Sequence, residues 1–311
     1  MIATRPIVEW LMSVFAIIAA LVIEQWRPLG ERKAVQGTLA AWAGWLEQSF
    51  NGGERRHGSI AWLVAVLPPV LLAAALHALL HSVHGLLALA FSIAVLYLTL
   101  GFRQFSHYFT DIQLAVKAGD IERARGLLEQ WRGASGVVRT REEVIRLTIE
   151  EALLASHRHV FGVLLWYLLL GPGGAVLYRL ADYFAWRWKD LGGFGDFARR
   201  AFDVLEWPAV RLTAAAFAVV GDFEDAVYCW RTQARSWFDP NAGIVLAAGA
   251  GAMGVRLGMP VQEVEGMQPR PELGVGEPAE GPFLDSTVGL LWRAVVVWVF
   301  VLVILTMARL L

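Results

Sequence analysis

The sequence predicts an all-α membrane protein: a polytopic helical bundle with short re-entrant or embedded helices and further helices on the cytoplasmic surface. Three observations predict it. Of the 311 residues, 57% are hydrophobic and 18% charged, against roughly 25% charged in soluble domains. The apolar excess lies in runs, and Ile60 to Leu80 carries no formally charged side chain, matching the roughly 20 residues that the hydrocarbon core demands. The cations gather between the runs, as they do in membrane proteins with a fixed orientation.

The apolar runs are Ile7 to Ile23, Ile60 to Leu80, Gly85 to Phe102, Val160 to Ala181 and Val288 to Ala308. Trp10 and Trp26 bracket the first as interfacial aromatics do. Glu24-Gln25-Trp26 follows it where a signal peptide needs small residues, so a retained anchor is expected. Pro68-Pro69 sits mid-run in the second, removing two backbone donors and predicting a kink. Gly171-Pro172-Gly173-Gly174 divides the fourth into halves too short to cross alone, which would suit a re-entrant hairpin. Trp207 to Val220 and Ala242 to Val255 are apolar over only about 14 residues each, the length of embedded helices.

One membrane domain, 1–311, is therefore expected. Within it, 103–158 forms a cytoplasmic helical linker, 259–286 an exposed Pro/Gly/Glu-rich loop and 288–308 a C-terminal transmembrane helix. In the linker Ile112 and Val116, then Ile121, Ala124, Leu127 and Leu128, recur at helical spacing, with Asp120 placed to cap the second helix. Cations crowd both this linker and Arg27 to His57, while His81 to His84 has no Lys or Arg, so both linkers should face the cytoplasm of a multi-pass protein of a bacterial inner membrane.

A net charge of −1 gives no pull toward nucleic acid, and membrane lipid is the partner the composition implies. The one cysteine, Cys229, forms neither an internal disulfide nor a cysteine zinc motif. Gly249-Ala-Gly251-Ala-Met-Gly254 spells G-x-G-x-x-G, but no strand is predicted before it. Gly243, Ala247 and Gly251 at four-residue spacing read instead as a face for close helix packing. His77, His81 and His84 share a helix face at metal-ligand spacing, though no nearby carboxylate completes a shell. His157 and His159 straddle Arg158 and point apart.

Ionisable residues at membrane depth cost about 2.5–3.5 kcal/mol each on the insertion scale and so are paired or functional. Arg179, Asp182, Asp203, Glu206 and Arg211 fit that description. Together they predict a polar seam between short helices, with Asp203 and Glu206 converging at i and i+3.

With these residues in view, the chain resembles the CobD/CbiB family, the membrane-bound adenosylcobinamide-phosphate synthases of cobalamin assembly. DPNAGIVLAAGAGAMGVRLG, Asp239 to Gly258, looks like that family's Ser-Pro-Asn-Ala-Gly motif with its small-residue tail. FGDFARRAFDVLEWPAVRLTA, Phe194 to Ala214, is similar to its Phe-Gly, Asp-Asp-Val-Leu-Asn and Pro-Ala-Arg-Leu-Thr run. KAGDIERARGLLEQW, IRLTIEEALL and GPGGAVLYRLADY match in the same order. The resemblance implies catalytic roles for Glu150 and Asp203 and ligand contacts for Arg179, Arg211 and Asn241, with ATP and Mg²⁺ as cofactors and no metal ligand assigned in the chain; Arg139, Asp182 and Glu206 join the expected ligand contacts through their charge.

The chain also departs from that pattern. Where the family carries Glu-Ser-Leu-Ala-Glu-Asn and then Asp, this chain has Glu150-Glu151-Ala152-Leu153-Leu154-Ala155 and then Arg158. The Arg-Asp-Thr motif is Val138-Arg139-Thr140, Asp182 replaces an Asn, and Glu206 replaces the Asn after Val-Leu. Val204 to Leu212, and Gly221 to Ala226 before Trp230, resemble the AmpE-type inner-membrane proteins linked to cell-wall recycling signals. Two functions are therefore expected. One is a sensor or accessory protein with a degenerate polar cavity, and the other an ATP-dependent amide synthase. The ligand is a corrinoid or a cell-wall-derived molecule, and oligomer formation stays open.

Overall fold

A computed structural model describes residues 5–26, 33–52, 55–133, 140–263 and 266–308. The chain runs through α1 (Arg5–Trp26), α2 (Lys33–Phe50), α3 (Arg55–Val83), α4 (Gly85–Thr99), α5 (Phe102–Lys117) and α6 (Ile121–Arg132). It continues through α7 (Arg141–Ser156), α8 (Gly162–Arg187), α9 (Asp196–Val220), α10 (Phe223–Gln233) and α11 (Pro240–Met253). Four short strands, β1 (Leu257–Gly258), β2 (Val261–Glu263), β3 (Gly266–Gln268) and β4 (Glu272–Leu273), precede α12 (Gly281–Ala308). The architecture is an all-α membrane bundle. Among the described residues three helical stretches are long and apolar enough to cross a membrane: Arg55–Val83, Arg141–Arg187 and Gly281–Ala308.

The chain forms two compact units: Met1–Gly101, Gly162–Trp207 and Val303–Leu311 in the first, Phe102–Phe161 and Pro208–Leu302 in the second. In the first unit α3 packs on α4 and α8, and α4 packs on α1. Small residues bring α3 and α8 together, since a Cβ on Gly173 would lie 3.3 Å from both the Val70 carbonyl oxygen and the Ala74 methyl. Gly171 adopts φ 64°, ψ −153° inside α8, a conformation that only glycine takes without strain. The Gly-Pro-Gly-Gly stretch thus divides this segment as the sequence suggests. Leu71, Leu72 and Leu79 of α3 stay exposed, as lipid-facing side chains do.

In the second unit α5, α6 and α7 pack on one another, α10 packs on α11, and α11 packs on α7. Ile112, Val116, Ala124 and Leu128 are fully buried, as their helical spacing implies. Asp120 caps α6 by accepting from the Arg123 N–H at 3.1 Å. Gly251 lies so close to α10 that a Cβ there would collide with the Asp225 carbonyl and sit 2.8 Å from Ala226 Cα. The G-x-G-x-x-G string is a helix-packing surface.

Three segments differ from expectation. Trp207 to Val220 is not a separate short helix, because α9 runs from Asp196 through Pro208 to Val220. A mid-helix proline weakens the ladder, and Trp166 Nε1 donates to the Leu205 carbonyl at 3.0 Å in the turn before it. Residues 259–286 are not simply an exposed loop. Strands β1 and β4, and β2 and β3, form antiparallel ladders, Val261, Leu273 and Ala279 are buried, and α12 already begins at Gly281. Pro282 suits that first turn, where no N–H partner is needed. His84 does not share a helix with His77 and His81, since it caps α4 by accepting from the Leu86 N–H at 3.2 Å.

Candidate functional site

The second unit holds a buried polar cluster built from α7 outward. Thr140 caps α7 by accepting from the Glu143 N–H at 3.1 Å. The helix then carries Arg146 and Glu150 at i and i+4, stacked on one face. Both are buried, at 6% and 5% exposure. A charge taken out of water needs a partner of opposite sign and good hydrogen bonds.

Glu150 has such partners on both oxygens. The Gly258 N–H donates to Oε1 at 2.8 Å, and Arg270 Nη2 donates to Oε2. Gly258 has φ +79°, and any Cβ there would strike the Pro271 carbonyl, so no other residue can present this N–H here without strain. The β1–β4 ladder aligns Gly258 with Glu272, which carries the Arg270 segment alongside β1. The Arg270 guanidinium also lies 4.6 Å from the centre of the Trp237 ring, within cation–π range.

Two residues past Trp237, Asp239 caps α11, accepting from the Asn241 and Ala242 N–H groups at 2.9 and 3.2 Å. Pro240 occupies the first helical turn, which it favours. Asp239 also stands 3.9 Å from Arg158. Arg158 lies in a π-helical turn, His157–Phe161, where His157 Nδ1 meets Thr213 Oγ1 at 2.9 Å.

The residues expected from sequence fall in both units. Glu150 and Asn241 are in the second unit, with Arg211 half-buried on its stretch of α9. Arg179 and Asp182 belong to the first unit and pair with each other at 3.2 Å. Asp203 and Glu206 are also in the first unit, but Asp203 is exposed and Glu206 buried, so the two carboxylates do not share an environment. Arg139 lies outside the described residues. Sequence reasoning missed Arg270, Gly258 and Trp237. The i, i+4 spacing of Arg146 and Glu150 was legible, whereas Pro269-Arg270-Pro271 carries no periodicity.

A bound Mg²⁺ asks for near-octahedral oxygen ligands, usually carboxylates shared with substrate phosphates. Among the described residues no three of His, Cys, Asp or Glu group as ligands, and both oxygens of Glu150 are already engaged. The cluster does not fit a dedicated metal cage.

The family model described as CobD/Cbib protein matches residues 14–291. The Cobalamin biosynthesis protein CobD of Stutzerimonas stutzeri is 37% identical over 302 residues, covering 94% of this chain and 97% of that protein. Its namesake in Chromobacterium violaceum is 37% identical over 219 residues, 68% of this chain and 70% of the relative. That of Mycobacterium tuberculosis is 32% identical over 166 residues, 50% and 53% of the two chains. No solved structure matches this chain.

Proposed function

The chain belongs to the CobD/CbiB family, and from that premise we propose that it is a membrane-bound amide synthase of cobalamin biosynthesis. It joins an amino-alcohol, or its phosphate, to a corrinoid carboxylate. The observation that carries this reading is the 37% identity over 97% of a relative named for cobalamin biosynthesis. A sensor or accessory role draws no support from these relatives, and no AmpE-type protein stands among them. The protein acts in the bacterial inner membrane, crosses it more than once, and keeps residues 103–158 on the cytoplasmic side, where ATP is available.

Amide formation needs an activated carboxylate. ATP, when bound, supplies a phosphoryl group to the corrinoid carboxylate oxygen, and the amine nitrogen displaces that phosphate while losing its extra proton. The chain's own residues position and neutralise. Asn241, at the capped start of α11, orients substrate through its amide, and Arg211 contributes positive charge against phosphate oxygens. Glu150 holds Arg270 in place through its Oε2.

The test is growth of a cobalamin-auxotrophic strain lacking its own family member, combined with an assay of ATP-dependent amide formation by the purified full chain. Restored growth and amide product are expected. Growth without amide synthesis in any detergent or nanodisc would replace the enzyme with an accessory role.

A further inference from the structure

We propose that Arg146, together with Arg270, forms an oxyanion site that holds the phosphate group of a substrate. Arg146 is 6% exposed, and it makes no hydrogen bond or ion pair with any described residue. Its Nε is fully enclosed without a partner, and so is the Nε of Arg270. Arg146 lies within electrostatic reach of both Glu150 and Arg270. Glu142 and Glu143 also lie within its electrostatic reach, but Glu142 is exposed and Glu143 only half-buried, while the oxygens of buried Glu150 are taken by Arg270 and the Gly258 N–H. Among the described residues no buried carboxylate pairs directly with Arg146, and a buried cation without such a partner is costly unless an anion joins it.

The chemistry that fits is a phosphate. Guanidinium groups present forked N–H donors that match phosphate oxygens two at a time. In naming phosphate, the proposal rests on the amide-synthase reading, which offers two sources: a nucleoside triphosphate and an amino-alcohol phosphate.

The experiment measures binding to the full chain in nanodiscs by isothermal titration calorimetry, with melting temperature followed in parallel. A non-hydrolysable ATP analogue and phosphoethanolamine are the two probes, and ethanolamine is the phosphate-free control. Whichever phosphate compound binds identifies the source, and Arg146→Gln should weaken it at least tenfold without lowering the melting temperature of the unliganded protein. Arg146→Lys, which keeps charge but loses the fork, should weaken it by an intermediate factor.

Binding of neither phosphate probe, wild-type affinity in Arg146→Gln, or a lower melting temperature of that unliganded variant would overturn the proposal, the last by showing that the charge is structural. Phosphate binding lost in Arg146→Gln, in a protein that makes no amide, would retain this site and reject the synthase reading. Amide synthesis unchanged in Arg146→Gln would do the reverse.

Discussion

Arg158, in the π-helical turn after α7, and Asp239, the cap of α11, stand 3.9 Å apart. Both side chains are about a third exposed, so solvent screening limits the pair to about 1 kcal/mol or less. Asp239 also caps α11, worth about 0.5–2 kcal/mol. Asp239→Ala should therefore destabilise more than Arg158→Ala, while Asp239→Ser, which keeps a capping oxygen, should cost no more than Arg158→Ala. Thermal denaturation in detergent checks the order. If Asp239→Ser costs as much as Asp239→Ala, the ion pair outweighs the cap.

Breaking the Glu150–Arg270 pair should cost far more, because both partners are under 10% exposed. Glu150→Gln takes from Arg270 its buried carboxylate partner, at a cost of about 3–5 kcal/mol. Adding Arg270→Met should recover part of that loss. Additive single and double variants in a thermal double-mutant cycle would mean the two side chains are not coupled.

The small-residue face of α11 gives a graded steric test. A Cβ at Gly251 meets backbone of α10, whereas one at Gly249 meets only the flexible end of Leu153, at 2.8 Å. Gly251→Ala should lower the folded yield in detergent sharply and Gly251→Leu abolish it, while Gly249→Ala remains folded with a loss of about 1–3 kcal/mol from overpacking. Equal yields for Gly249→Ala and Gly251→Ala would contradict the backbone contact.

Cys229 is buried, and burial, reinforced by the nearby Asp225 carboxylate, pushes its thiol up to about 11 from an ordinary 9.0. An acid whose folded value is raised keeps its proton in the folded chain where the unfolded chain has lost it. Stability from this group is intact below about pH 9 and falls as pH rises toward 11. Iodoacetamide should label the folded protein slowly at pH 8, with a rate still climbing past pH 9, and label the denatured chain quickly. A rate that levels off near pH 9 would show an unperturbed thiol.

The cation bias of the linkers predicts which side they occupy. A cysteine introduced at Lys117, an exposed residue at the end of α5, in a Cys229→Ala background, should resist a membrane-impermeant maleimide in intact cells and react once the inner membrane is opened. Labelling in intact cells would place α5 on the other side.

Much of this protein was legible from sequence, because hydrophobic period and charge act locally. The apolar runs placed α3, α8 and α12, helical spacing placed α5 and α6 with Asp120 as cap, and four-residue spacing of small residues marked the face where α11 meets α10. Pattern also identified Glu150 and Asn241 through the family motifs. What it could not supply was pairing over long chain separations. Glu150 meets Gly258 and Arg270 only because a two-residue ladder and a glycine with positive φ bring a Pro-rich stretch back onto α7. Asp203 and Glu206 shared a helix face by spacing, yet packing buried one and exposed the other. Sequence determined which residues are charged within apolar surroundings, since that follows from neighbours along the chain. Tertiary structure decided which of those charges found partners and left the Arg146 guanidinium without one among the described residues, because compensation of a buried charge depends on what the fold brings within a few ångströms.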